Sequence, residues 1–188
     1  MKTFQKTYEE LVEYIPQTEE EKVDKELIMD YLEHYGEKAF FRSSLPAHLT
    51  ASALVVNHAA DKVLLAYHLL YQSYGWFGGH ADGEFDLEYV ARKELMEESG
   101  LERFQLKYHG IASIEVIHVN RHIKKGKKVS DHLHLNVTYL FEADETDAIR
   151  IKEDENSAIR WVKISDMDTI IEEKFMIGIY QKILGRLK

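Results

Sequence analysis

Three carboxylates share a stripe with residues that must face the protein body. In the segment LEYVARKELMEESGL, residues 87–101, a helical period of about 100° per residue puts Leu87, Val90 and Ala91 on one narrow stripe, which continues through Glu94, Glu97 and Glu98. Like charges at this spacing repel, and carboxylates in a last turn oppose the negative end of the helix dipole, each effect costing a few tenths to about 1 kcal/mol. A bound cation offsets both. Carboxylate oxygens without Cys or His suit a hard ion such as Mg2+ or Mn2+, which commonly also ligates a substrate phosphate. The stripe therefore points to metal-assisted phosphate chemistry. The competing reading pairs the glutamates with Arg92, Lys93 or another element, or turns them to water.

Upstream, Gly75-Trp76-Phe77-Gly78-Gly79-His80-Ala81-Asp82-Gly83 supplies backbone permissive enough for a tight turn and for close approach of a ligand or ion. Tyr74, Trp76 and Phe77 could stack on a base or line a substrate pocket; packing under the loop is the other fate open to them. His80 could sit near phosphate oxygens or hold the loop by a hydrogen bond. Further on, alternation over residues 132–141 sets Leu133, Leu135, Val137 and Tyr139 on one face and His132, His134, Asn136 and Thr138 on the other, a polar face that could border the cleft. His132 and His134 form an H-x-H pair that lacks a third metal ligand at recognisable spacing. Arg121 and the lysines 124, 125, 127 and 128 form a basic hairpin, either a guide for polyphosphate or a solvated tip.

The elements that must position these groups follow from periodicity. Two helices open the chain, each with a Thr followed three residues later by Glu as a start signal: Thr7 with Glu10, and Thr18 with Glu21. In the second, Val23, Leu27, Ile28, Tyr31, Leu32 and Tyr35 mark one face and Gly36 ends the helix, so residues 1–48 read as a helical extension. A hairpin follows over Ala53–Val56 and Val63–Tyr67, then the loop and the helix from Leu87 to Ser99 closed by Gly100. Strands over Ile111–Val119 and Leu133–Phe141 join across the lysine turn, another centres on Trp161–Val162, and a last helix carries Ile170, Ile171, Phe175, Ile179, Ile183 and Leu187. The order implies a layered α/β domain with a mixed sheet over residues 49–188.

Composition narrows the function classes. The 188 residues carry 33 acidic against 24 basic side chains, a formal charge of −9, which disfavours a protein that wraps duplex nucleic acid. The absence of Cys removes disulfide scaffolds, thiolate metal sites and cysteine nucleophiles. Neither a signal peptide nor a long uncharged apolar run is visible, so a cytoplasmic protein without a membrane partner is expected.

The segment GGHADGEFDLEYVARKELMEESGL resembles the box of the Nudix hydrolase family, G-x5-E-x7-R-E-U-x-E-E-x-G-U, where U is bulky and aliphatic. With Gly79 as the first Gly, Glu94, Leu95, Glu97, Glu98, Gly100 and Leu101 fall into register. Lys93 replaces the box Arg, with Arg92 one residue early, and Phe85 occupies the earlier Glu position between Glu84 and Asp86. The resemblance implies a Nudix-type α/β/α sandwich, the box at about 79–101, and Mg2+ (or Mn2+) held by Glu94, Glu97, Glu98 and the backbone carbonyl of Gly79. It implies Glu94, Glu97 and Glu98 as catalytic carboxylates and, ahead of Arg160-Trp161-Val162, a late acid at Glu155, which could equally be an exposed loop acid. Trp76, Phe77, His80 and His134 are the substrate-side candidates. The activity implied is hydrolysis of the diphosphate bond in a nucleoside diphosphate linked to another group. A ligand-binding module that has lost turnover is the alternative; an isopentenyl-diphosphate-isomerase-like reaction ranks lower, since in its best-known form it uses a cysteine. The helical extension could brace the domain, cap the substrate cleft or form a homodimer interface.

Overall fold

Residues 2–124, 126–152 and 156–187 are described by the structure, a computed structural model, the side chain of Lys124 excepted. Helices α1 (Phe4–Glu13) and α2 (Glu19–Tyr35) precede strands β1 (Ala47–Asn57), β2 (Lys62–His68), β3 (Ser73–Gly75) and β4 (Phe77–His80). Helix α3 (Leu87–Ser99) leads into β5 (Gln105–Leu106), β6 (Ser113–Val119), β7 (His122–Lys124), β8 (Lys127–Val129) and β9 (His132–Ala143). Strand β10 (Asn156–Lys163) and helices α4 (Met167–Ile170) and α5 (Lys174–Leu184) complete the order.

The expected mixed sheet is present. Strands β1 and β9 run parallel at its centre, in register from Ala47↔Leu133 to Asn57↔Ala143, and the other pairings are antiparallel. The edge of β1 is shared: β4 covers Thr50–Ala53, while β2 takes over at Val55 and Val56. On one face, Leu49, Ala51, Ala53 and Val55 of β1 join Leu135, Val137 and Tyr139 of β9 under α3, together with Leu11, Ile28, Leu32 and Phe40 from the N-terminal segment. On the other, Leu54, Val56 and Leu140 pack beneath Met167, Met176, Ile177, Tyr180 and Ile183 of α4 and α5. Towards the start of β1 the same face turns polar, with His48, Thr50 and Ser52 buried.

Several local expectations are corrected. Helix α1 starts at Phe4, where the Thr3 hydroxyl accepts from the Lys6 amide; Thr7 lies inside the helix and donates to the Phe85 carbonyl at 2.6 Å. Thr18 does cap α2, but its stripe is rotated from the expected one: Ile28 and Leu32 are buried, whereas Val23, Leu27 and Tyr35 are exposed. The cause is Glu21, buried on that helix by a hydrogen bond from the Tyr14 hydroxyl (2.5 Å) and an ion pair with Lys182 (3.0 Å). Strands β6 and β9 pair with each other but are not joined by a simple turn, because β7 and β8 form a separate two-stranded ribbon between them. The C-terminal helix breaks after Ile170, since Ile171 is extended and the amides of Glu172 and Glu173 donate to the Ser73 hydroxyl instead of to helix carbonyls. Among the described residues, no helix is long and apolar enough to cross a membrane.

Candidate active site

Helix α3 is anchored by Leu87, Val90, Ala91 and Leu95, each nearly or fully buried, and a fully buried Leu or Val contributes about 1.5–3 kcal/mol. Asp86 caps its first turn by accepting from the Tyr89 amide, and Gly100 ends it at φ 69°, a left-handed conformation that suits glycine. This fixed axis aims the carboxylates. Glu98 is 5% exposed, and its Oε2 accepts from Asn156 Nδ2 at 3.2 Å. Glu94 lies at the sheet, where a Cβ added to Gly79 would come within 2.4 Å of its carboxyl carbon. Glu97 is exposed, and Lys93 Nζ stands 3.7 Å from Glu97 and 3.9 Å from Glu94, so the lysine offsets repulsion along the stripe.

Arg92 does not take the place of the box Arg. It pairs with Glu88 at 2.8 Å and lies over the rings of Phe141 and Phe104, away from the glutamate stripe. The shifted loop has an equally local explanation. Glu84 accepts from the Asp86 amide, Asp86 is the helix cap, and Phe85 packs edge-on against Phe40 (5.0 Å) and Phe4 (6.2 Å). An ionised carboxylate at position 85 would lie half-buried against aromatic rings contributed by the N-terminal segment. That segment also ties down the loop through the Thr7 bond, the Gly83 amide on the Phe40 carbonyl and the Arg42–Asp82 ion pair, in which the Arg42 guanidinium holds the Asp82 carboxyl below its ordinary pKa.

Gly79 is the tightest point of the site. Gly79→Ala is expected to push the Glu94 carboxyl aside, cutting kcat/KM by about a hundredfold, while the urea midpoint moves little because the displaced atoms end a flexible side chain. Activity equal to that of the unaltered chain would show that the position of Glu94 does not matter.

The substrate-side candidates divide. Phe77 is fully buried in the core, so it packs under the loop. Trp76 is half-buried, lies edge-on to Tyr180 at 5.4 Å, and donates its backbone amide to the Tyr180 hydroxyl. His80 and His134 come together on the polar sheet face opposite α3, since Gly79 faces the helix and the next residue of β4 faces away. Beside them stands His48, which the sequence reading passed over. Burial pushes its pKa down. Among the described residues, only His48, His80 and His134 bring three ligand atoms of His, Asp or Glu within 4.8 Å of one another. Strand pairing alone unites them, so no spacing in the chain could have announced it; the single signal was the H-x-H pair. The three glutamates are not gathered so closely. Glu155 lies outside the described residues, as does Lys125 of the basic hairpin.

With that geometry in view, a family model described as NUDIX domain matches residues 46–182. No curated protein matches the sequence. Solved structures similar to this chain include a binary complex of the C. elegans Ap4A hydrolase, with 18% identity, TM-score 0.56, and coverage of 74% of this chain and 96% of that one. A NUDIX-family hydrolase from Clostridium perfringens is similar at 19% identity and TM-score 0.56, covering 75% and 98%. The mutator MutT protein from Bacillus halodurans is similar at 20% identity and TM-score 0.51, covering 72% and 81%. At these identities the structural likeness speaks for the fold.

Proposed function

The chain belongs to the NUDIX family, as a Nudix-type hydrolase acting on pyrophosphate bonds, and from that premise we propose that it cleaves the diphosphate of a nucleoside diphosphate linked to a second group, using Mg2+ or Mn2+. The observation that carries the reading is the carboxylate-bearing end of α3, where Glu98 is buried, Glu94 lies against Gly79 and Glu97 reaches solvent beside them. Glu94, Glu97, Glu98 and the Gly79 carbonyl would hold the ion. When bound, the ion neutralises charge on the diphosphate oxygens and lowers the pKa of water. Lys93 tempers the repulsion among the carboxylates, and the buried Glu98 is oriented by Asn156. Glu94 or Glu155 takes the proton from the attacking water. No covalent nucleophile is required, in keeping with a chain that has no Cys. Trp76, His80 and His134, all half-buried, remain the candidates for contact with the substrate.

A panel of nucleoside diphosphate sugars, dinucleoside polyphosphates, ADP-ribose and oxidised nucleotides, each with Mg2+ or Mn2+, tests the proposal. Release of two phosphorylated products, or of pyrophosphate from an oxidised nucleotide, is expected for one class. Binding without product across the panel would favour a ligand-binding module on the same fold.

A further inference from the structure

The polar face of the sheet carries a cluster that the carboxylate stripe does not use. His48 of β1, His80 of β4 and His134 of β9 have ring centroids 4.9 to 5.2 Å apart. The register explains the meeting: His48 is directly opposite His134, and His80 is opposite Thr50, two residues along the same face. We propose that His48, His80 and His134 form a second metal site, for a borderline transition-metal dication such as Zn2+, bound through three imidazole nitrogens with a further position left for water or a phosphate oxygen.

Five points support this. The donor set is all nitrogen, which suits Zn2+, Co2+ or Ni2+ and not Mg2+. Three protein ligands plus an open position is a recurrent arrangement for zinc that meets substrate. His48 is 3% exposed, and its Nε2 is buried with no hydrogen-bond partner, a costly state that a metal ion would relieve. Its Nδ1 faces the Ser44 carbonyl at 3.4 Å; a carbonyl only accepts, so the proton sits on Nδ1 and the lone pair on Nε2, the tautomer a ligand needs. His80 and His134 are half-buried, which leaves the cluster reachable from solvent.

His132 is a positioning residue here. Its Nδ1 donates to the Ser130 carbonyl at 2.8 Å, its ring stacks on His48 at 5.1 Å, and its Nε2 lies 3.2 Å from Nε2 of His134. All the ligands stand on paired strands, so little reordering is needed to bind the ion.

The test uses the full chain stripped with a chelator and titrated with Zn2+ alone, then with Co2+ alone. A stoichiometric equivalent of Zn2+ is expected, with Co2+ giving visible d–d absorption. His80→Asn and His134→Asn should each weaken Zn2+ binding about a hundredfold or more and abolish the Co2+ band, with far-UV circular dichroism unchanged; His132→Asn should weaken binding about tenfold. Glu97→Gln should leave Zn2+ binding untouched, which separates this site from the carboxylates. The proposal is overturned if Zn2+ does not bind stoichiometrically, or if binding survives both His80→Asn and His134→Asn.

Discussion

Glu98→Gln is expected to cut Mg2+-dependent turnover by about three orders of magnitude, a loss of about 4 kcal/mol in transition-state stabilisation. The substitution keeps the side-chain volume and the acceptor oxygen that meets Asn156 at 3.2 Å, so packing at this buried position is preserved while a charge disappears. Stability should rise slightly, since the change removes a negative charge from the last turn of α3 and relieves repulsion with Glu94, each effect worth a few tenths to about 1 kcal/mol. Loss of activity with no loss of stability is what marks a carboxylate held for chemistry. Glu97→Gln should behave similarly in activity. Product release measured against Mg2+ concentration, beside urea unfolding, reads both; full activity in both variants would remove the carboxylate site from the mechanism.

Lys182→Met should be the most destabilising of the substitutions considered, by about 3–5 kcal/mol at neutral pH, because it strands two buried carboxylates. Lys182 Nζ lies 3.0 Å from Glu21 and 3.1 Å from Glu115, whose side chains are 0% and 4% exposed. Burial alone would raise the Glu21 pKa, but hydrogen bonds from Tyr14 and the Gln17 amide, with Lys182, carry it below its ordinary value. Burial dominates at Glu115 and keeps its pKa up, with Lys182 the largest opposing influence. Without the ammonium both folded-state pKa values rise, because Lys182 lowers each of them. The folded variant then binds more protons across the carboxylate range than the unaltered folded chain does, so its loss of stability grows as pH rises through that range. The deficit relative to the unaltered chain should therefore be smaller at about pH 4 than at pH 7. Urea midpoints at the two pH values check this, and a deficit independent of pH would mean that the lysine acts by packing alone. The same network joins α2, β6 and α5, since the Ser113 hydroxyl lies between the Glu21 and Glu115 carboxylates, within hydrogen-bond reach of both, and Arg186 donates to the Tyr14 hydroxyl.

Much of the box was legible in the chain because its logic is local. Helical period set Leu87, Val90, Ala91 and Glu98 on the buried face with Glu94 half-buried beside them, while Glu97 turned out to solvent, and Gly100 ended the helix where expected. Strand alternation separated Leu135 and Val137 from His134 and Asn136, and the structure keeps them on opposite faces. Local pattern failed wherever a distant partner competed. Thr7 looked like a cap but gives its hydroxyl to Phe85 across the fold, and Val23 and Leu27 looked like core but turn outward because Glu21 is held inside.

The departures from the box have the same origin. Phe85 stands where a carboxylate was expected because Phe4 and Phe40 enclose that spot, and those rings come from a segment 45 or more residues away in the chain. From the sequence alone came the longer helices and strands, the run of carboxylates on α3 and the family resemblance, all of which rest on interactions within a turn or two of helix or along one strand, whereas β3 and β4 stood in the sequence only as a glycine-rich loop. Only the tertiary structure decided what lies beside what across strands: Gly79 against Glu94, Asn156 on Glu98, Lys182 between two acids, and three histidines meeting through the register of β1, β4 and β9. Side-chain periodicity assigns a residue to a face, but the neighbour it meets there is set by strand order and register, which depend on the whole core.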